Sequence, residues 1–192
     1  MSLMQVKGTA YHARLMLLRS KWGDARVDAF LQKFRREHPR FPSTVLPTTW
    51  LPAADFLALI DAIVVDVYAG DTGSLWEIGE MSAAFTLREG PYRNLLETRD
   101  AVKFAGLGKA MWANFFDAGE AHSELHGSCV DVHVTGVPEA HRHLYFEFSV
   151  MGYFRRGLEL LDQKSRTECV LGFSKGDARI HYKFHLLNAP PK

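Results

Sequence analysis

Glu120, His122, Glu124 and His126 stand two residues apart. On a β-strand that spacing sends every side chain to one face, and His-x-His spacing on strands is one way to bind zinc. Asp131 or His133 on a following strand would complete the shell, and His141 and His143 form a second pair just before an amphipathic stretch. Spacing alone does not establish that ligands converge. The reading adopted is a solvated, His-rich sheet face without a metal, and a metal protein built on His122, His126 and His133 is the minor alternative.

Other chemistry finds less support. Ser82, Ser128 and Ser149 lack the strand-to-helix glycine setting of an activated serine. Cys129 lies in a strand pattern with no neighbouring base. Gly106-Leu107-Gly108 lacks the strand, third glycine and acidic residue of a dinucleotide loop. Asp55, Asp61 and Asp66 read as surface acids. With no catalytic constellation, the chain is expected to be non-enzymatic. The stronger signal is aromatic: Trp112, Phe115, Phe116, Tyr145, Phe148 and Tyr153 would line an apolar ligand pocket between a helical front part and a sheet-bearing rear part. The alternative is a core filled to ordinary packing density.

These residues need elements to hold them. From Leu144 to Asp162, apolar residues Phe146, Val150, Tyr153, Phe154, Leu158 and Leu161 recur at helical spacing, with Glu147, Arg155, Glu159 and Asp162 largely on the other side. Gly152 and Gly157 inside that helix imply close packing against its backbone. Before it, Val130, Val132 and Val134 alternate with Asp131, His133 and Thr135, and Gly127-Ser128 marks a hairpin turn. After it, Thr167, Cys169, Leu171 and Phe173, then Ile180, Tyr182, Phe184 and Leu186, alternate around Lys175-Gly176-Asp177. The two hairpins would join into one antiparallel sheet with the helix on one face and His122, Glu124, Asp131, His133, Lys183 and His185 on the other. Residues 8–119 carry helical periodicity in about five segments, punctuated by Gly23, Pro39, Pro42, Gly70 and Gly90-Pro91. One of these runs from Arg99-Asp100 to Gly119 with Phe104, Leu107, Met111 and Phe115 as its stripe. The tail from Asn188 reads as frayed.

The fold class is therefore α+β, one domain over 1–192, with a helical part (8–119) and a β-β-α-β-β part (120–187). A length of 192 residues with 47% hydrophobic content supports a full core. A formal charge of +1, from 23 basic and 22 acidic residues, argues against general nucleic-acid binding. Two cysteines are too few for a disulfide framework and suit a reducing, cytoplasmic setting. No apolar run reaches the length of about 18 residues that a spanning helix needs.

Lys7-Gly8-Thr9, Trp50-Leu51-Pro52, Glu77-Ile78-Gly79, Met111-Trp112 with Phe116-Asp117-Ala118-Gly119, and Gly152-Tyr153-Phe154-Arg155-Arg156-Gly157-Leu158-Glu159-Leu160 together resemble a paralogous family of uncharacterised proteins abundant in myxobacteria. At the level of fold that group is similar to haem-NO-binding, 4-vinyl-reductase-type and TRAPP small-subunit domains. The resemblance covers nearly the whole chain and rests on structural positions. It implies two chemical sites, and the sequence departs from both. Haem-NO-binding domains hold iron through a histidine on the helix before the sheet and grip the propionates with Tyr-x-Ser-x-Arg. No histidine lies between Asp100 and Ala118, and the propionate motif is absent, so no haem cofactor is expected. The 4-vinyl-reductase-type domains pair two cysteines in the last hairpin; here Cys169 stands without its partner near Ile180.

The expectation is a small-molecule-binding or sensory module whose partner is an apolar small molecule. A homodimeric protein–protein interaction or scaffold module, which would expose an apolar patch of several hundred Å², is the alternative that the TRAPP resemblance implies.

Overall fold

A computed structural model describes residues 4–90 and 92–187. The helical part comprises α1 (Gly8–Trp22), α2 (Asp24–Glu37), α3 (Ala53–Tyr68), α4 (Ser74–Arg88) and the short α5 (Asn94–Thr98), α6 (Ala101–Ala105) and α7 (Gly108–Ala113). Two three-residue strands, β1 (Gln5–Lys7) and β2 (Trp50–Pro52), pair antiparallel with Lys7 opposite Trp50. The Lys7-Gly8-Thr9 and Trp50-Leu51-Pro52 motifs thus meet each other. Gly23, at φ 80°, turns α1 directly into α2.

The aromatic stripe expected as one helix from Arg99 to Gly119 is two short helices. Asp100 caps α6 by accepting from the Lys103 N–H at 2.8 Å. Gly106, which lowers helix propensity, follows its last residue, and the Gly108 N–H donates to Ser123 Oγ at 3.0 Å instead of continuing the α6 ladder.

The rear part follows the alternation closely. β3 (Glu120–His126) and β4 (Cys129–Thr135) form the first hairpin, and β5 (Ser165–Leu171) and β6 (Ile180–Leu186) the second. They join through β4 and β6 into one antiparallel sheet of order β3-β4-β6-β5. Val130, Val132, Val134, Ile180, Tyr182 and Phe184 are buried on the inner face, against Phe146, Phe154, Leu158 and Leu161 of the central helical segment. That segment begins with a π-helical turn, Tyr145–Ser149, and continues as α8 (Val150–Leu160). A π-turn holds more residues per turn than an α-helix. It swings Glu147, expected on the outer side, fully inward.

α8 lies across α4 at a crossing of two glycines. A Cβ on Gly79 would overlap the carbonyl of Ser149, and one on Gly152 the carbonyl of Trp76. One hydrophobic cluster runs from Met4 to Phe184 through both parts. Among the described residues, no helix is long and apolar enough to cross a membrane. The tail from Asn188 lies outside the described residues.

Candidate functional site

Where α1, α4, α7 and the start of the central helical segment come together, they leave a cavity of about 500 Å³. Trp112, Phe115, Phe116, Tyr145 and Tyr153 line it, with Met111, Phe85, Tyr92 and Val150 extending the apolar wall. Phe148, expected beside them, is not part of the lining. The π-turn directs it to Trp76, where the rings stack at 5.8 Å. Trp112 is fixed by an Nε1–H bond to the Ala118 carbonyl (3.0 Å) and packs on Phe116 at 4.5 Å between centroids.

The polar atoms in this wall are few and mostly tied. Thr86 Oγ1 lies 2.9 Å from the Ser82 carbonyl and so donates to it, which leaves the Tyr153 hydroxyl donating to Thr86 at 2.7 Å. Burial pushes the Tyr153 phenol well above its ordinary value, so it keeps its proton. Among the described residues, the charged groups of the lining are Lys7 and Arg14, with no acidic residue beside them. Arg14 Nε donates to the Tyr145 phenolic oxygen at 3.2 Å, and Nη1 donates to the Ile78 carbonyl at 3.2 Å and to Ser82 Oγ. Sequence reasoning missed Arg14. The available signal was its position as the one Lys, Arg, Asp or Glu between Lys7 and Arg19.

The wall is linked to the sheet through Glu147. Its carboxylate accepts from Tyr182 OH (2.5 Å), Ser174 Oγ (2.7 Å) and Ser174 N–H (2.8 Å). Tyr145 and Ser149 of the same π-turn face the cavity. The wider groove between α1 and α2, about 670 Å³, is different in kind: Arg19 there is paired with Asp24 at 2.8 Å and Asp28 at 2.5 Å.

The outer sheet face carries the histidines. His122 and His126 both approach Glu124, at 3.6 and 3.4 Å, rather than converging with His133. His133 stacks instead on His181 across the β4–β6 pair, 3.9 Å between centroids, and His181 Nε2 contacts Asp131 Oδ1 at 2.8 Å. One ligand atom from each of Asp131, His133 and His181 lies within 4.8 Å of the others. Sequence spacing missed His181, because its proximity comes from the register between hairpins. Burial, then the nearby His181, holds His133 below its ordinary value. His141 and His143 have separate surroundings. His143 Nδ1 accepts from the Tyr145 N–H at 3.0 Å, so its Nε2–H donates to Asp61 at 2.9 Å, while His141 is buried. Burial, then Asp131, pushes the Cys129 thiol up, away from a reactive thiolate. The large apolar side chains most open to solvent, Leu46, Val65, Val102 and Leu187, each belong to a different segment.

No protein-family model matches the chain, and no curated protein does. Solved structures do. An oxygen-binding H-NOX domain related to soluble guanylate cyclases superposes with a TM-score of 0.70 at 12% identity, covering 97% of each chain. An H-NOX protein from S. oneidensis gives 0.70 at 10% identity over 95% of this chain and 99% of that one. A Cs H-NOX variant gives 0.71 at 12% identity over 97% and 99%. The chain has the H-NOX-like fold. Haem is the group this fold implies, and the cavity wall tests it: among its lining residues there is no histidine and no cysteine. The thioethers of Met16 and Met111 and the bonded phenols of Tyr145 and Tyr153 remain. These residues do not fit a haem held through histidine.

Proposed function

We propose that this chain is a non-enzymatic, small-molecule-binding sensory module whose ligand occupies the cavity beside Trp112 and Tyr145. The observation that carries the reading is the cavity itself. Its volume lies within the range of ligand pockets, roughly 300–1,000 Å³, and its wall is apolar with few polar groups. The H-NOX-like fold supports the reading as analogy, and the wider resemblance to TRAPP small-subunit and 4-vinyl-reductase-type domains belongs to the same proposal. An occupant that displaces Tyr145 would act through the π-turn on Glu147, and from there on Ser174 and Tyr182 of the last hairpin. Native mass spectrometry of the chain purified from its own host tests this. The expected result is a stoichiometric added mass that denaturation releases; a chain of bare mass with a closed cavity would count against it.

A second reading is favoured by the convergence of Asp131, His133 and His181. Two imidazoles and a carboxylate suit zinc or a similar borderline ion, and His122, opposite His133 in the β3–β4 register, stands next to them. Calorimetric titration with zinc would show one site that His181→Ala removes; absence of stoichiometric uptake would sink this reading.

A further inference from the structure

We infer that the cavity's ligand is an amphiphile with a carboxylate head, held by Arg14. This rests on the proposal that the cavity binds a small molecule, and adds the ligand's chemical class. Arg14 is half-buried in the α1 wall. A guanidinium has five N–H donors. Those on Nε and Nη1 meet a phenol, a hydroxyl and a backbone carbonyl, all neutral. Nothing among the described residues accepts from Nη2, and no carboxylate lies within ion-pair distance of the group. Nη2 is not sealed from solvent, so it stays free to bond whatever enters the cavity. In the neighbouring α1–α2 groove Arg19 has two aspartates; in the cavity, Arg14 and Lys7 have no acidic residue in the wall. The missing negative charge is what an anionic ligand would bring.

The shape of the site selects among anions. A small inorganic anion would leave the wall of Trp112, Phe115, Phe116 and Val150 unfilled. A molecule with an apolar body and one anionic end satisfies both the wall and the guanidinium. Arginine meets a planar carboxylate, as it does a phosphate, through charge-assisted bonds, and Tyr145 and Ser82 already hold the near side of the guanidinium in place. Nη2 is left to meet the ligand.

The experiment is calorimetry on the delipidated full chain with three probes of one chain length: dodecanoate, dodecanol and dodecylammonium, each below its aggregation concentration. Dodecanoate is expected to bind roughly tenfold to a hundredfold more tightly than dodecanol, the range for a hydrogen bond to a charged group, with dodecylammonium weakest. Arg14→Met should bring acid and alcohol to about equal affinity while alcohol binding persists. Equal binding of acid and alcohol by the unaltered protein would overturn the carboxylate head, and a preference surviving Arg14→Met would overturn its assignment to Arg14; either result leaves the cavity reading standing. No binding of any of the three would remove both. Because the unaltered protein alone decides between acid and alcohol, a variant that failed to fold would not rescue the inference.

Discussion

Arg14 and Tyr145, 131 residues apart in the chain, meet in the cavity wall, where the guanidinium Nε–H donates to the phenolic oxygen at 3.2 Å. The contact joins the first helix to the π-turn that opens the central helical segment. It ties the one arginine of the apolar wall to the element that also carries Glu147.

Glu147 is expected to be a structural tie between that turn and the last hairpin. Glu147→Leu leaves the Tyr182 hydroxyl and the Ser174 donors without their acceptor. Urea unfolding should show a loss of at least about 2 kcal/mol. Adding Tyr182→Phe should recover part of that loss, because the orphaned phenol is removed with it. Full additivity would show that the two groups do not act together.

The α4–α8 crossing depends on the absence of side chains at Gly79 and Gly152. Gly152→Ala drives a methyl into the Trp76 carbonyl, so overpacking should outweigh the gain in helix propensity by about 1–3 kcal/mol. A thermal melt that rises instead would mean that the helices lie farther apart.

Ala13 is a small residue in the α1 part of the wall. Ala13→Leu fills part of the cavity, and is expected to stabilise the ligand-free chain by about 0.5–2 kcal/mol while weakening ligand binding. A variant that binds as well as the parent would place the ligand elsewhere.

The outer sheet face should make stability fall on acidification. His133 has a folded pKa below its ordinary value of 6.5, through burial first and His181 next. The unfolded chain therefore takes up that proton first as pH drops, and stability is lost from about pH 6.5 downward. Asp131 adds a lower window. Burial opposes its ionisation, but the His181 hydrogen bond and Lys183 outweigh that and hold it below 3.8, so its contribution fades only as pH falls below that value. Denaturation midpoints for His133→Gln should be flatter between pH 7 and 5; an unchanged slope would clear His133 of the effect.

Period-two alternation is enough to read the sheet: the valines of β4 and Gly127-Ser128 mark strands, turn and buried face. β1 and β2 were illegible because three residues carry no period. The helix through Gly106 was overextended because its apolar stripe continues in phase across the break. Glu147 and Phe148 were misplaced for a single reason: a 3.6-residue wheel cannot register a π-turn, which shifts the phase of every side chain within it. Trp112, Phe115, Phe116, Tyr145 and Tyr153 share one wall of the cavity. Arg14 was passed over because a charge on an amphipathic helix ordinarily faces water.

The most direct test is a crystal structure of the chain purified from its own host. Density is expected for one small molecule bounded by Trp112, Phe116 and Tyr145, with its polar end on Arg14. Side chains of those residues closed upon one another, with no enclosed space between α1 and α7, would contradict it.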